Sequence, residues 1–157
     1  MSALIADERG VQLACPTCGQ TNRLLYPNLS RPTRCGKCHG ELAPAGGPGS
    51  PVEPASEAAF AALARHASLP VLVDFWAPWC GPCRSVAPEV ARLAATTAGQ
   101  LLVVKVNTEE LPGVAQTFRI ASIPTFVVLR NGQECGRQSG ALPAAALRQL
   151  AFASAKP

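Results

Sequence analysis

The pentapeptide Trp79-Cys80-Gly81-Pro82-Cys83 constrains this chain more than any other feature, because of what flanks it. Before it runs Val71-Leu72-Val73-Asp74-Phe75-Trp76, a short apolar stretch fit for a buried strand. After it, Cys83, Val86, Ala87, Val90, Leu93 and Ala94 recur with the i, i+3, i+4, i+7 spacing of one buried helical stripe. A Cys-x-x-Cys at a strand-to-helix turn sets a sulfur against unpaired backbone N–H groups and the positive end of the helix dipole. Both favour a thiolate, the attacking species in disulfide exchange. A metal site or a structural bridge can share the spacing, but neither accounts for the strand, turn and helix around it.

The stripe also divides the labour between the two sulfurs. Cys83 lies on it and is expected to be covered, whereas Cys80 precedes it and is expected to be exposed at the helix tip. Cys80 would then attack a substrate disulfide, and Cys83 would displace the reduced product. Pro88 falls inside the same helix, where it removes a hydrogen bond and predicts a kink.

A second cysteine pattern stands near the N-terminus. Cys15-Pro16-Thr17-Cys18 and Cys35-Gly36-Lys37-Cys38 are separated by sixteen residues, Gly19 to Arg34. That spacing is the one a four-thiolate zinc site uses, with two knuckles each presenting two sulfurs. Gly19 and Gly36 are expected to supply the tight turns. The segment holds few large apolar residues, and so small a module rarely folds without a staple. Cys15, Cys18, Cys35 and Cys38 are therefore read as the ligands of one structural zinc ion. Cys35-Gly36-Lys37-Cys38-His39 also fits a covalent haem attachment pattern. Haem demands an enclosing core and usually a second axial ligand, and the single methionine is Met1, so no haem is expected. Two disulfides of a secreted domain are the other reading; the absence of an export signal and the redox dithiol downstream oppose it. With four thiolates available, His39 reads as a solvated neighbour.

Between the two cysteine patterns, Ala43-Pro44-Ala45-Gly46-Gly47-Pro48-Gly49-Ser50-Pro51 is too rich in Gly and Pro for a regular element. The organisation expected is a four-cysteine module at 1–42, a linker at 43–52 and a larger domain at 53–157. In that domain a helix turning Phe60, Leu63, Ala64 and Ala67 inward leads to the strand 71–76, the helix from Cys80 to about Thr97, and a strand at 101–106. A short helix near Glu109–Thr117 precedes two antiparallel strands, Thr125–Arg130 and Gln133–Gln138, joined by the hairpin turn Asn131-Gly132. A helix at 143–153 turns Leu147 and Leu150 inward. Pro51-Val52-Glu53-Pro54, with two prolines, suits at most a short edge strand. Helices on a mixed central sheet make an α/β sandwich.

This arrangement resembles the thioredoxin family. Asp74, six residues before Cys80, is a costly carboxylate in a run fit for burial, which raises its proton affinity. The resemblance implies that Asp74 assists Cys83 and that Lys105, in Leu101-Leu102-Val103-Val104-Lys105-Val106, neighbours it. It also implies that Ile123-Pro124-Thr125 holds a cis-proline loop whose backbone pairs with an extended substrate segment. Trp79, Gly81, Pro82, Ile123, Pro124, Gly140 and Ala141 would form a shallow docking surface around Cys80. With the four-cysteine module in front, the chain is similar to the zinc-binding bacterial thioredoxins, the thioredoxin-2 group. That implies protein-disulfide reductase activity with a redox-active Cys80–Cys83 disulfide, disulfide-bearing cytosolic proteins as substrates, and recycling by an NADPH-dependent thioredoxin reductase. Two further classes are weighed: a redox sensor that releases zinc to expose a chaperone or docking surface, and a zinc-ribbon nucleic-acid adaptor.

The net charge of +4 over 157 residues gives no nucleic-acid signature. No stretch reaches the eighteen apolar residues of a membrane span, and Asp7, Glu8 and Arg9 interrupt the start as no secretion signal would. A cytoplasmic monomer is expected. Cys135, the seventh cysteine, reads as an inert half-buried thiol.

Overall fold

A computed structural model of the protein describes residues 3–45 and 50–154. In chain order it contains β1 (Leu4–Ala6), β2 (Gly10–Ala14), β3 (Thr21–Leu25), a 3₁₀ turn (Tyr26–Asn28), β4 (Thr33–Arg34), β5 (Glu41–Leu42) and β6 (Val52–Pro54). There follow α1 (Glu57–His66), β7 (Val71–Trp76), α2 (Gly81–Thr96), β8 (Leu102–Asn107), α3 (Pro112–Thr117), β9 (Thr125–Arg130), β10 (Gln133–Ser139) and α4 (Ala144–Ser154). This is a thioredoxin fold, a mixed sheet with helices on both faces, preceded by a four-cysteine segment that fits a zinc-ribbon-like module.

The apolar run at 71–75 sits at the centre because nothing else can bury both of its faces. β7 pairs in parallel with β8 and antiparallel with β9. Val71, Val73 and Phe75 join a core with Phe60 and Leu63 of α1 and Val114 of α3. Leu72 joins the opposite core with Val86, Val90 and Leu93 of α2 and Leu147 of α4. Ser56 caps α1, its Oγ accepting the Ala59 N–H at 3.0 Å, with Glu57 in the first turn and Arg65 and His66 in the last, as the helix dipole prefers. Asn131 and Gly132 both take positive φ, 52° and 77°, the conformation that tight hairpin turns need.

Among the described residues the main sheet has eight strands in the order β10-β9-β7-β8-β6-β1-β2-β3, and β4 and β5 form a separate two-stranded sheet. β6, expected at an edge, is an interior strand, flanked in parallel by β8 and β1. Its prolines are tolerated because of where their missing donors fall. Leu4 N–H donates to the Pro51 carbonyl and Ala55 N–H to the Ala6 carbonyl, so residues 51, 53 and 55 address β1. Pro54 therefore faces β8 without an N–H, and the β6–β8 ladder stops at the single pair Val52–Val104. One sheet thus runs from the N-terminal segment into the larger unit.

Of the linker expected at 43–52, residues 46–49 lie outside the described residues. The residues on either side are packed: Ala45, Ser50 and Val52 are buried, and Pro44 carbons lie 3.5 Å from where a Cβ on Gly99 would stand. Tyr26, buried at the foot of the module, accepts the Ser68 N–H at its carbonyl and donates its hydroxyl to the Asp7 carbonyl.

Two further details differ from expectation. The short helix begins at Pro112, because Asn107 Oδ1 takes the Glu109 N–H at 2.9 Å and holds that stretch in a turn. Cys135 is exposed on β10, at the bulge where the register with β9 shifts between Glu134 and Gly136. The extra residue of a bulge has no cross-strand neighbour to cover it.

Candidate active site and metal cluster

The turn after β7 delivers Cys80 to the N-cap of α2. Its Sγ accepts the Cys83 backbone N–H at 3.2 Å, and Pro82 stands in the first turn, where no donor is lost. Cys80 and Cys83 form a disulfide, with Cα atoms 5.2 Å apart. Both are 4% exposed, so Cys80 is covered where exposure was expected. Its sulfur is bonded to Cys83, and the Ile123 carbonyl oxygen lies 3.8 Å from it. Ile123-Pro124 is a cis peptide bond. Gly140, at φ 98°, donates its N–H to the Pro124 carbonyl at 2.8 Å and ties the start of the α4 connection to that loop.

Trp79 is 66% exposed, and its Nε1 donates to Glu109 Oε1 at 2.8 Å. With Ile123 it borders a cavity of about 340 Å³ whose other walls are Thr108, Ala115, Ile120, Ala121 and Ser122. None of those five stood out in the sequence; small and apolar residues before a proline carry no signal of their own. Gly81 and Pro82 flank the disulfide, while Gly140 and Ala141 are exposed outside this cavity.

Asp74 lies in the interior at 1% exposure, and its Oδ1 has no hydrogen-bond partner among the described residues. Burial pushes its carboxyl up to about 7, against the opposing pull of the Lys105 ammonium. Lys105 is its cross-strand partner in the β7–β8 register. The ammonium, however, rests on the indole of Trp76, with Nζ 4.5 Å from the ring centroid. Among the described residues no ion pair joins Lys105 to Asp74. In the sequence Trp76 is no more than a strand end, and nothing local signals its part in seating Lys105.

The four remaining paired cysteines converge at the other end of the sheet. The sulfurs of Cys15, Cys18, Cys35 and Cys38 all lie within 4.8 Å of one another, with Cys15–Cys38 at 3.6 Å and Cys18–Cys35 at 3.7 Å. A tetrahedral ion with bonds of about 2.3 Å sets sulfurs about 3.8 Å apart, so the cluster has the dimensions of a thiolate metal site. The two knuckles repeat each other. Gly19 N–H donates to the Cys15 carbonyl and Cys15 N–H to that of Gln20; His39 N–H donates to the Cys35 carbonyl and Cys35 N–H to that of Gly40. Gly19 takes φ 76°, and the matching position in the second knuckle is His39 at φ 62°, not Gly36 as expected. The backbone N–H groups of Cys38 and Lys37 bring the Cys35 thiol down to about 6. The Gln20 N–H also favours a Cys18 thiolate, but burial and the neighbouring sulfurs outweigh it and push that thiol up to about 11. Four sulfurs this close can all ionise only around a cation.

No described helix is long and apolar enough to cross a membrane. The family profile for thioredoxin matches residues 51–152. Thioredoxin 1 of Synechococcus elongatus is 50% identical over 88 residues, covering 56% of this chain and 82% of the relative. Thioredoxin C-3 of Corynebacterium nephridii is 36% identical over 137 residues, 87% of this chain and 90% of the relative, so it matches outside residues 51–152 as well. The crystal structure of Malassezia sympodialis thioredoxin (Mala s 13) superposes with a TM-score of 0.58 at 35% identity, covering 65% of this chain and 91% of that one. The chain belongs to the thioredoxin family and is a thiol-disulfide oxidoreductase.

Proposed function

We propose that the chain is a thioredoxin of the zinc-binding thioredoxin-2 group, reducing disulfides of cytosolic proteins through Cys80 and Cys83. The observation that carries this reading is the Cys80–Cys83 disulfide at the N-cap of α2, in a chain whose β7 buries Asp74. In the reduced protein the Cys80 thiolate attacks one sulfur of a substrate disulfide. A mixed disulfide forms, and the other substrate sulfur leaves as a thiolate. Cys83 gives its proton to Asp74, whose affinity near neutrality suits the transfer. The Cys83 thiolate then attacks Cys80, the internal disulfide closes, and the second substrate sulfur leaves. Two electrons pass from the dithiol to the substrate.

Lys105 supports the ionised form of Asp74. Trp79, Gly81, Pro82, Ile123, Pro124, Gly140 and Ala141 form the docking surface, and the cis-proline loop offers backbone groups to an extended segment of the partner. The oxidised protein returns to the dithiol through an NADPH-dependent thioredoxin reductase, and the chain works as a cytoplasmic monomer.

Cys15, Cys18, Cys35 and Cys38 hold one structural zinc ion, which cross-links the two knuckles of the module at 1–42. The cluster dimensions support this assignment. The comparisons with thioredoxins favour the reductase over a metal-releasing sensor.

Insulin reduction tests the assignment. Cys80→Ser is expected to abolish turnover, and Cys83→Ser to accumulate a mixed disulfide. Full activity of the Cys80→Ser protein would refute the nucleophile. Elemental analysis is expected to find one zinc per chain, lost in Cys35→Ser.

A further inference from the structure

Strand register lines up four side chains across the sheet on the face that α2 covers. Ile5 on β1 pairs with Glu53 on β6, and Lys105 on β8 pairs with Asp74 on β7. Glu53 stands one residue beyond the Val52–Val104 pair, which places it beside Lys105. In-register residues share a face, and neighbouring strands lie about 4.8 Å apart. Lys105 therefore stands between two acidic residues, a half-buried one on β6 and a buried one on β7. Glu53, Lys105 and Trp76 line a cavity of about 360 Å³, which Ile5 of the N-terminal strand and Glu110 help to enclose.

Neither carboxylate has captured the ammonium. Among the described residues Lys105 forms no ion pair, and its Nζ lies over Trp76 instead. From that seat a rotation of its four-carbon stem carries the charge toward Glu53 or toward Asp74. The groups that face Asp74 are few. β8 contributes Lys105, β9 contributes the uncharged Phe126, and the buried stripe of α2 carries Cys83. Glu53 is two strands from Asp74, about 10 Å, while Lys105 is next to it. Of the charges present, Lys105 is the one that lowers the proton affinity of Asp74.

We propose that Glu53 is a positioning residue for Lys105: without forming an ion pair, its negative charge favours the seat of the ammonium over Trp76, beside the cavity, and so limits how far Lys105 favours ionised Asp74. The N-terminal strand takes part, since β1 holds β6 in the sheet and sets Ile5 against Glu53. Removing the Glu53 charge frees Lys105 to turn toward Asp74, and Asp74 then gives up its proton at lower pH. The catalytic meaning of this device rests on the proposed function; the device itself does not.

The test is a carbon-13 NMR titration of the Asp74 carboxyl in the oxidised full-length protein, where Cys83 cannot titrate. Wild type, Glu53→Gln, Lys105→Met and the double variant are compared. Glu53→Gln is expected to lower the Asp74 midpoint by about half a pH unit, roughly threefold in proton affinity. In the Lys105→Met background the same change is expected to produce less than half that shift. An unchanged or raised midpoint in Glu53→Gln overturns the proposal. So does a shift that survives at half size or more without Lys105, because Glu53 would then act on Asp74 unaided. Both variants keep their aliphatic stems, and a thermal melt confirms that the fold is retained. Failure of the reductase reading shows elsewhere, as unchanged turnover in Asp74→Asn, and leaves this titration readable.

Discussion

The backbone N–H of Cys83 points at the Sγ of Cys80 from 3.2 Å, an N-cap closed by sulfur in place of oxygen. Such a donor stabilises an anion far better than a neutral thiol. Cys80, at the N-cap, is the sulfur that this donor is expected to serve in the reduced protein, while Cys83 lies on the buried stripe of α2. Iodoacetamide labelling followed by peptide mapping is expected to modify Cys80 at least about tenfold faster than Cys83 at pH 7, since the thiolate is the reactive species. Equal rates would leave the division of labour without a basis.

Asp74 makes a pH-dependent demand on the fold. Burial lifts its carboxyl to about 7, whereas an aspartate in an unfolded chain titrates near 3.9. Between those values the folded state binds a proton that the unfolded state has released, so stability falls as pH rises through that window. Above it the folded chain holds an ionised carboxylate whose Oδ1 has no hydrogen-bond partner. Asp74→Asn is therefore expected to be more stable than wild type at pH 8, by roughly 1–4 kcal/mol, with the gap closing toward pH 4. Denaturant melts at the two pH values measure this. The same variant is expected to turn over insulin about 10- to 100-fold more slowly at pH 7, since in the proposed mechanism the proton of Cys83 loses its acceptor.

How much of this was legible in advance depends on the range of each signal. The 71–76 strand, the helix after Cys80 and the Asn131-Gly132 turn follow from periodicity and turn chemistry within a few residues, and the structure has them at those places. The cysteine spacing at Cys15, Cys18, Cys35 and Cys38 likewise anticipated the cluster of four sulfurs. The interior place of β6 is not legible locally, because two prolines look forbidding until the direction of each missing N–H is known, and that depends on which strands lie alongside. The covering of Cys80 by Ile123, the seating of Lys105 on Trp76 and the row that begins at Ile5 are contacts between distant segments. No local pattern encodes them. Gly36 and His39 show the converse: glycine was the natural expectation for a left-handed turn, yet repeated knuckle geometry put histidine there.

Cys135 tests whether the exposed seventh thiol takes part in the chemistry. It stands on edge strand β10 at the bulge, its Sγ 3.5 Å from the Val128 carbonyl oxygen. Its thiol is raised by desolvation against the pull of Arg130, the opposite of what activates a cysteine. Cys135→Ser is expected to retain insulin reduction within about twofold and melting within about ±0.5 kcal/mol, as exposed substitutions usually do. A larger loss in turnover would make Cys135 part of the redox cycle.

The first knuckle of the four-cysteine cluster and the catalytic turn lie at strands of one sheet. The second knuckle, on the separate β4–β5 pair, meets that sheet through the cluster itself, which predicts how removal of the proposed metal will propagate. β2 enters the first knuckle and β3 leaves it, and β2 pairs with β1, which pairs with β6, which pairs with β8. Ala6, Val11, Leu24 and Tyr26 of the module share one core with Phe60, Val73 and Val127. With the proposed zinc bound, stripping it with a chelator would leave four close-packed sulfurs with no cation between them, and the knuckles would lose their cross-link. If the module were an independent bead, calorimetry would show a separate low-temperature transition and an unmoved main peak. The shared sheet and core predict instead a single transition that moves down as a whole, by about 2–4 °C for each kcal/mol of stability lost. Cys35→Ser is expected to reproduce that shift without a chelator, and added zinc is expected to restore the melting temperature of the stripped wild type but not of the variant.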